Sequence, residues 1–434
     1  MPKRDAAPRT ADAAPRAAAP NGRPPRPARR AAWLLGPALV AGVAYLDPGN
    51  VASNMTAGAR FGYLLVWVVV LGNAMAWLIQ YLSAKLGIVT GRSLAETLGD
   101  RFRSRWSRRA YWLQAELVAM ATDVAEVIGG AVALWLLFGV PLPIGGLVTG
   151  AVSTAALLVQ QRRGARSFEF VVIGLLAIIA LGFTYGVFVA PPDAGSVAAG
   201  LLPRFEGTES VLLAASILGA TIMPHAIYAH SALARDRFTA DTAHPGDRAI
   251  GTRRLLRATR WDVTIALVIA GTVNLCILLL AAAHLAGVAG TDSLDGAYAA
   301  LHTGLGAAVA TLFAVGLLAS GLASTAVGAY AGAEIMQGML RVRIPLLARR
   351  LVTLVPAIAL LAAGIDPTWA LILSQVVLSF GIPFALIPLV ALTARGDVLG
   401  GFRNRWWTTA AGIVASAFLV ALNGVLLWLV LGGG

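Results

Sequence analysis

Two short segments of this 434-residue chain place polar side chains and a proline inside long apolar runs. The first reads AYLDPGNVASN over residues 44–54, and the second reads TIMPHAIYAHS over residues 221–231. The carboxylate of Asp47 and the amide oxygen of Asn50 suit a hard or borderline cation, whereas the thioether of Met223 is a softer ligand. Because Ca²⁺ and Mg²⁺ prefer shells made only of oxygen, these side chains together predict a site for a transition metal such as Mn²⁺ or Fe²⁺.

Each proline interrupts what would otherwise be a continuous apolar helix. Proline removes a backbone N–H donor and clashes with the carbonyl group one turn earlier, and Gly49 tolerates the backbone that results. In hydrocarbon, freed carbonyl groups persist only where they are buried in protein or line a wet cavity, and a carboxylate such as Asp47 is costly. A proline kink alone is common in membrane helices, but the Asp-Pro-Gly-Asn combination favours a functional site over a simple kink.

The composition indicates an all-α polytopic membrane protein. Hydrophobic residues make up 58% of the chain and charged residues only 13%, whereas soluble proteins carry about 25% charged residues. A soluble helical protein would need charged faces between its apolar runs, and such faces are absent from the sequence. Runs that could cross about 30 Å of hydrocarbon recur throughout the chain. We predict eleven spans, at residues 33–57, 63–86, 110–138, 142–160, 168–190, 209–233, 261–286, 305–339, 351–364, 368–393 and 406–430.

The net charge of +13 is distributed as membrane topology requires. Of the 34 basic residues, all but Arg60 and Arg204 lie before the first span or on alternate connections between spans, with the helix ends beside them. This alternation follows the positive-inside rule and predicts a cytoplasmic N-terminus, so that eleven spans leave the C-terminus outside. Since membrane topology accounts for the basic charge, nucleic-acid binding has no support in the sequence.

The two broken spans divide the chain into two groups of five spans. Residues 1–32 form a basic cytoplasmic arm with few large apolar side chains, which predicts disorder. The first group covers residues 33–190 and the second covers residues 209–393, followed by an eleventh span at residues 405–431. Because five is odd, the second group enters the membrane from the opposite side, which predicts a 5+5 inverted repeat. Such repeats are typical of secondary transporters, whose substrate site lies between two discontinuous helices at the bilayer midplane.

A stripe of carboxylates on the third span predicts a path for protons. Asp123 and Glu126 are three residues apart on one helical face, and Glu116 lies two turns before Asp123. Three carboxylates on a buried helix are costly unless they are solvated, paired or protonated. Salt bridges to Arg349 and Arg350, at the start of the ninth span, are the structural interpretation. The functional interpretation, which we favour, is a proton relay in which Asp47 and the two arginines join the stripe.

His225, His230 and Glu334 are ionisable residues inside other predicted spans. His225 follows the second break directly, and histidine titrates near neutral pH, so it is a candidate for the proton pathway. We expect His230 to be structural. Glu334, in the eighth span, has no assigned role.

These segments resemble the paired motifs of the Nramp family of proton-coupled divalent metal transporters. The resemblance rests on LDPGN in the first span and ATIMPHAIYAHSAL in the sixth. It continues in ELVAMATDVAEVIGGAVAL, LLASGLASTAVG and SQVVLSFGIPFALIPLV of the third, eighth and tenth spans. The resemblance implies a leucine-transporter-like fold, import of Mn²⁺ and Fe²⁺ across a bacterial plasma membrane, and symport of protons along the third span.

The resemblance also assigns the metal ligands. Asp47, Asn50 and Met223 match ligands of the family. The backbone carbonyl of Ala220 completes the shell, and Gln375 matches a glutamine that approaches the metal when the site is occluded.

Two other classes of protein fit the sequence less well. A sodium-coupled organic solute transporter of the same fold would receive the carboxylate of its substrate at the unwound backbone, where Asp47 would repel it. An ion channel has no need of paired helix breaks. We therefore expect a transporter rather than an enzyme, without a bound cofactor, functional as a monomer in the lipid bilayer, with divalent metal ions and protons as substrates.

Overall fold

A computed structural model describes residues 36–163, 165–240, 251–342 and 345–431 of the protein. In this part of the chain the regular secondary structure consists of seventeen α-helices and two 3₁₀ segments, which confirms the all-helical prediction. The predicted basic arm, residues 1–32, lies outside the described residues.

The helices coincide with the predicted spans. In chain order they are α1 (Pro37–Val43), α2 (Pro48–Phe61), α3 (Val66–Thr90), α4 (Leu94–Arg101), α5 (Arg105–Phe138), α6 (Leu142–Arg163), α7 (Ala165–Val189), α8 (Ala194–Ala199), α9 (Gly207–Thr221), α10 (Pro224–Ala240), α11 (Thr252–His284), α12 (Leu294–Leu305), α13 (Ala307–Leu340), α14 (Leu346–Ala362), α15 (Pro367–Ala394), α16 (Gly396–Leu399) and α17 (Trp406–Leu431). Helices α4, α8, α12 and α16 are short connections. The first predicted span consists of α1 and α2, the sixth consists of α9 and α10, and each of the others is one helix.

Seven helical segments of the described residues are long and apolar enough to cross a membrane. They are Val66–Thr90, Arg105–Phe138, Gly207–Phe238, Thr252–His284, Ala307–Leu340, Pro367–Ala394 and Trp406–Leu431. Shorter apolar segments occur at Pro37–Leu46, Leu142–Ala155 and Ile173–Val189. Large apolar side chains such as Leu181, Phe188 and Trp428 are exposed on the bundle surface, as expected of residues that face lipid. Eleven crossings stay a prediction, although a helix occupies each predicted span.

Both predicted helix breaks are present. The first lies between α1 and α2, where a 3₁₀ turn at Ala44–Leu46 is followed by Asp47 in an extended conformation. Asp47 is the N-cap of α2, because its side chain accepts a hydrogen bond from the backbone N–H of Asn50 at 2.8 Å, and Pro48 occupies the first helical position. The second break lies between α9 and α10, where Ile222 and Met223 separate the two helices.

Glycines allow the helices around these breaks to approach closely. A Cβ atom added at Gly129 of α5 would lie 2.1 Å from Cβ of Pro48. A Cβ atom added at Gly219 of α9 would lie 1.9 Å from the carbonyl oxygen of Gln375 in α15. Glycine at these two positions therefore lets α5 pack directly against the first break and α15 pack directly against α9.

Candidate metal site and carboxylate cluster

The polar groups of the two breaks meet inside the helix bundle. The side-chain amide of Asn50 donates a hydrogen bond to the carbonyl oxygen of Ala220 at 2.8 Å. Ala220 is the penultimate residue of α9, so its carbonyl is one of those that a helix end leaves without an intrahelical partner. Asp47, Asn50, Ala220 and Met223 each have 0% of their surface exposed. The Asn50–Ala220 contact thus joins the two breaks, and Met223, three residues after Ala220, is buried in the second break.

Gln375 of α15 closes one side of this group. Its Nε2 donates a hydrogen bond to Oδ2 of Asp47 at 3.0 Å, and a Cβ atom added at Gly49 would lie 1.7 Å from the same nitrogen. Glycine at position 49 therefore leaves the space that the Gln375 side chain occupies. The sequence indicated a conformational role for Gly49, and the structure adds this packing role.

The group offers oxygen ligands to a cation. Within the described residues, Oδ1 of Asn50 and Oε1 of Gln375 are buried and have no hydrogen-bond partner. Buried polar atoms are rarely unpaired, because each costs about 1–3 kcal/mol in lost hydration. The carboxylate of Asp47 and the carbonyl of Ala220 add two more oxygen donors, and Met223 at the second break adds a soft sulfur donor. In the described residues, no group of three or more His, Cys, Asp or Glu side chains is arranged to hold a metal ion. This set, with one carboxylate and otherwise neutral donors, is therefore a different kind of candidate site.

The carboxylates of α5 pair with two arginines of α14. Nε of Arg349 lies 2.9 Å from Oε1 of Glu116, and Nη2 lies 4.0 Å from Oδ2 of Asp123. Nη1 of Arg350 lies 3.3 Å from Oδ1 of Asp123 and 3.8 Å from Oε2 of Glu126. All five side chains are buried. The arginines expected as salt-bridge partners are therefore in contact with the carboxylate stripe.

This carboxylate cluster contains one more acidic group than basic groups. Three carboxylates face two guanidinium groups, so full ionisation leaves one negative charge without a counter-ion inside the cluster. A net charge buried in a membrane is costly, and one bound proton would neutralise it. Salt bridges and proton binding are therefore compatible in the same cluster.

The carboxylate cluster adjoins the break of the first span. Gly129, which packs against Pro48, lies one turn beyond Glu126 on α5. A Cβ atom added at Gly321 of α13 would lie 3.1 Å from the carbonyl oxygen of Glu126 and 3.6 Å from Cγ of Pro48. Since Asp47 precedes Pro48, the carboxylate of the metal site and the carboxylate cluster are neighbours.

The two histidines of α10 contact neutral partners. Nδ1 of His225 lies 3.2 Å from the hydroxyl oxygen of Thr122, which precedes Asp123 on α5. Nδ1 of His230 lies 2.6 Å from Oε1 of Gln80 on α3. His225 is therefore placed beside the carboxylate stripe, and His230 links α10 to α3.

Arg60 forms ion pairs that were not predicted from the sequence. It pairs with Glu209 at the start of α9 and, at 2.7 Å, with Asp292 in the connection between α11 and α12. These contacts join the end of α2 to the beginning of α9. The sequence signal was the position of Arg60 itself, because it is one of two basic residues outside the charge alternation.

Glu334, which had no assigned role, belongs to a second group of ion pairs. Nη2 of Arg235 on α10 lies 3.2 Å from both carboxylate oxygens of Glu334 on α13. Nη1 of the same arginine lies 2.7 Å from Oε2 of Glu96 on α4. Because α9 and α10 extend from the second break in opposite directions, the ion pairs of Arg60 and Arg235 lie on opposite sides of the metal site.

Comparison with known sequences identifies extensive similarity. A family model described as natural resistance-associated macrophage protein-like, Nramp, matches residues 38–429. The divalent metal cation transporter MntH of Mycobacterium tuberculosis is 60% identical over 401 residues, which cover 92% of this chain and 92% of the relative. The divalent metal cation transporter MntH of Deinococcus radiodurans is 48% identical over 414 residues, which cover 94% of this chain and 92% of the relative.

Comparison with solved structures identifies transporters that have a similar fold. A manganese transporter of Eremococcus coleocola, solved with an aromatic bis-isothiourea substituted compound, is similar with a TM-score of 0.80 and 33% identity. The match covers 92% of this chain and 87% of that chain. The transporter Mhp1 of the nucleobase-cation-symport-1 family, in a closed conformation, has a TM-score of 0.54, 13% identity and coverage of 91% and 92%. At 13% identity the likeness concerns the fold alone.

Proposed function

The chain belongs to the Nramp family, and from this premise we propose that it transports divalent metal cations across a membrane. The protein is an all-helical, multi-pass membrane protein with the leucine-transporter-like fold. The observation that carries the proposal is the buried group of oxygen donors at the two helix breaks, where two amide oxygens have no partner among the described residues. A cation is the ligand that would satisfy them.

Mn²⁺ and Fe²⁺ are the ions that this donor set favours. One carboxylate with neutral oxygens and one thioether suits borderline ions better than Ca²⁺ or Mg²⁺. Asp47, Asn50 and Met223 would hold the ion through their side chains. The backbone carbonyl of Ala220 would add a ligand, and Gln375 would contribute Oε1. The names of the manganese and divalent metal transporters among the similar proteins support the same choice.

Alternating access is the route by which the ion would reach this site. The donors are fully buried, so neither side of the membrane has access to them in this conformation. The ion pairs of Arg60 would hold one side closed, and those of Arg235 would hold the other side closed. Opening one group of ion pairs at a time would expose Asp47 first to one side and then to the other.

The orientation and repeat organisation form part of the same proposal. Residues 33–190 and 209–393 would be the two inverted repeats, since each begins with a broken helix, and residues 405–431 would form the eleventh span. The charge alternation supports a cytoplasmic N-terminus and an outer C-terminus in a bacterial plasma membrane. All of the proposed ligands come from one chain, which supports a functional monomer.

Proton entry would drive the import of the metal. The support is the position of the carboxylate cluster next to the metal site and its excess of one acidic group. A proton displaced from Asp47 by the arriving cation would pass to Glu126 and Asp123. It would leave along Glu116, the member of the stripe farthest from the break.

Metal uptake into proteoliposomes tests this function. The full chain is reconstituted with an internal fluorescent reporter of divalent metals, and Mn²⁺ is added outside. We expect faster quenching than in protein-free liposomes and further acceleration when the outside is acidic. Sodium-driven amino-acid uptake is measured in the same preparation, and organic solute uptake without metal uptake would refute the proposal.

Replacing Met223 with alanine should weaken the rejection of Ca²⁺. The thioether adds little for Mn²⁺ but occupies the place of an oxygen that Ca²⁺ prefers, and alanine leaves room for a water molecule. We expect reduced but measurable Mn²⁺ uptake and a loss of discrimination of about 1–3 kcal/mol, the size of one charge-assisted contact. The measurement is Ca²⁺ inhibition of Mn²⁺ uptake, with Met336→Ala on α13 as the control. Unchanged exclusion of Ca²⁺ would show that Met223 only packs.

A further inference from the structure

The half-helix α1 leads into the metal site, and a single neighbouring helix, α11, contacts both of its ends. Oδ1 of Asp262 accepts a hydrogen bond from the backbone N–H of Gly36 at 3.1 Å, and Oδ2 accepts one from Ala38 at 2.9 Å. About three turns farther along α11, the side-chain amide of Asn274 donates to the carbonyl oxygen of Tyr45 at 2.9 Å. A carboxylate thus holds the N–H groups at the start of α1, and an amide holds a carbonyl just past its end.

α1 depends on such contacts because it is short and has no cap of its own. It contains seven residues, whereas isolated helices shorter than roughly 12–15 residues are marginal even in water. Its N-cap is Gly36, which has a φ of 145° and no side chain that could accept a hydrogen bond. The carboxylate of Asp262 supplies the missing acceptor and complements the partial positive charge of the helix N-terminus.

Asp262 is a buried acidic residue inside a membrane-spanning helix. Only 2% of its surface is exposed, and a carboxylate in such a place is costly unless its contacts compensate. Gly42 of α1 also approaches α11 closely, because an added Cβ atom would lie 3.2 Å from Cβ of Ala266. α1 therefore lies along α11 between Asp262 and Asn274.

We propose that Asp262 is a positioning residue that holds α1 against α11 while the metal site is closed. α1 continues through the 3₁₀ turn into Asp47, so its departure from α11 would open a path to the site from the side of the N-terminus. This consequence rests on the proposed transport function, whereas the anchoring of α1 does not. Loss of the two hydrogen bonds should raise the population of the open conformation without removing a metal ligand.

Thiol labelling measures whether α1 separates from α11. The single cysteine of the full chain, Cys276, is first replaced with alanine. A new cysteine is then introduced by Ala266→Cys, at a position that Gly42 of α1 covers. We expect Asp262→Ala to raise the rate of labelling by a water-soluble thiol reagent roughly ten- to a hundredfold, the population shift that follows from losing a charge-assisted hydrogen bond. Asp262→Asn keeps one acceptor oxygen and should give an intermediate rate. Thr259→Ala removes a different buried polar group from α11 and should leave the rate unchanged.

Hydrogen–deuterium exchange of the backbone amides of residues 36–46 provides a second measurement without a new cysteine. Faster exchange in Asp262→Asn, with native exchange in α2, supports the anchor. Native labelling rates and native exchange in both Asp262 variants would overturn it.

Mn²⁺ binding and uptake by the same preparations separate this proposal from the proposed function. We expect Asp262→Asn to bind Mn²⁺ with near-native affinity but to transport it more slowly. If the native chain neither binds nor transports Mn²⁺, the proposed function fails, while the labelling and exchange results still decide the role of Asp262.

Discussion

Replacement of Asp47 with alanine is expected to abolish Mn²⁺ transport and to weaken Mn²⁺ binding by more than about 100-fold. Mutation of residues that only support metal ligands typically lowers metal affinity by about 10- to 100-fold, and loss of a charged ligand should have a larger effect. Asp47 supplies the charge of the donor set, whereas Asn50, Gln375 and the carbonyl of Ala220 are neutral. A divalent ion transferred from water into this buried group loses its hydration, and neutral oxygens alone do not compensate for that loss. The effect should therefore exceed that of any other single ligand.

Asp47 also caps α2, so its two roles must be separated. Loss of an N-cap side chain costs about 0.5–2 kcal/mol of stability. Asparagine caps a helix about as well as aspartate but carries no charge, so Asp47→Asn removes the charge and keeps the cap. We expect both variants to lose Mn²⁺ binding and only Asp47→Ala to unfold at a lower temperature.

Calorimetric titration of the purified variants with Mn²⁺, together with thermal unfolding, measures both effects. Asp397→Asn is the matched control, because Asp397 is an exposed carboxylate that pairs with Arg395 at 2.9 Å, away from the helix breaks. Near-native Mn²⁺ affinity in Asp47→Asn would exclude Asp47 as the anionic ligand.

The helix breaks and the carboxylate stripe were predictable because their causes are local. Pro48 and Pro224 begin α2 and α10, as expected of a residue that lacks an N–H donor and fits the first helical turn. The members of the stripe share one helix, so their spacing in the sequence was enough to place them on one face. Their pairing with Arg349 and Arg350 could be anticipated, because isolated charges in a buried region need partners.

The contacts that complete the site were not predictable from local patterns. Gln375 lies 328 residues from Asp47, and its position depends on the space above Gly49, so only the family resemblance indicated it. The carbonyl of Ala220 is a backbone group, which leaves no mark in the sequence. The role of Asp262 was not predictable for the same reason, because its partners include backbone N–H groups 226 and 224 residues away. Its signal was a lone carboxylate within the predicted seventh span.

Replacing Glu126 with glutamine is expected to uncouple proton flow from metal uptake. The carboxylate cluster would then contain two carboxylates and two guanidinium groups, so it would be neutral without a bound proton. A neutral cluster would not bind an additional proton, so it could not relay a proton from the metal site to the far end of the stripe. Mn²⁺ binding should survive, because Glu126 is not among the proposed ligands.

Asp123→Asn makes the same change in charge but should have a larger structural cost. Asp123 lies 3.3 Å from Arg350, whereas Glu126 lies 3.8 Å from the same nitrogen, so Asp123→Asn removes the closer partner of that arginine. In Asp123→Asn the charges of the cluster balance, but Arg350 keeps only the more distant Glu126 as its ion-pair partner, so the remaining pair is weaker. We expect Glu126→Gln to remain near native stability and Asp123→Asn to lose both stability and coupling.

The decisive quantity is the ratio of proton flux to Mn²⁺ flux in proteoliposomes that contain both a pH dye and a metal reporter. Glu334→Gln is the matched control, because it removes a carboxylate from the ion pairs of Arg235 and leaves the carboxylate cluster intact. That variant should change the rate of transport but keep the native ratio. If Glu126→Gln and Asp123→Asn also keep the native ratio, the cluster is purely structural. The proton path must then use another titratable group near the break, and His225, which lies beside Thr122 on the same stripe, is the group to test next.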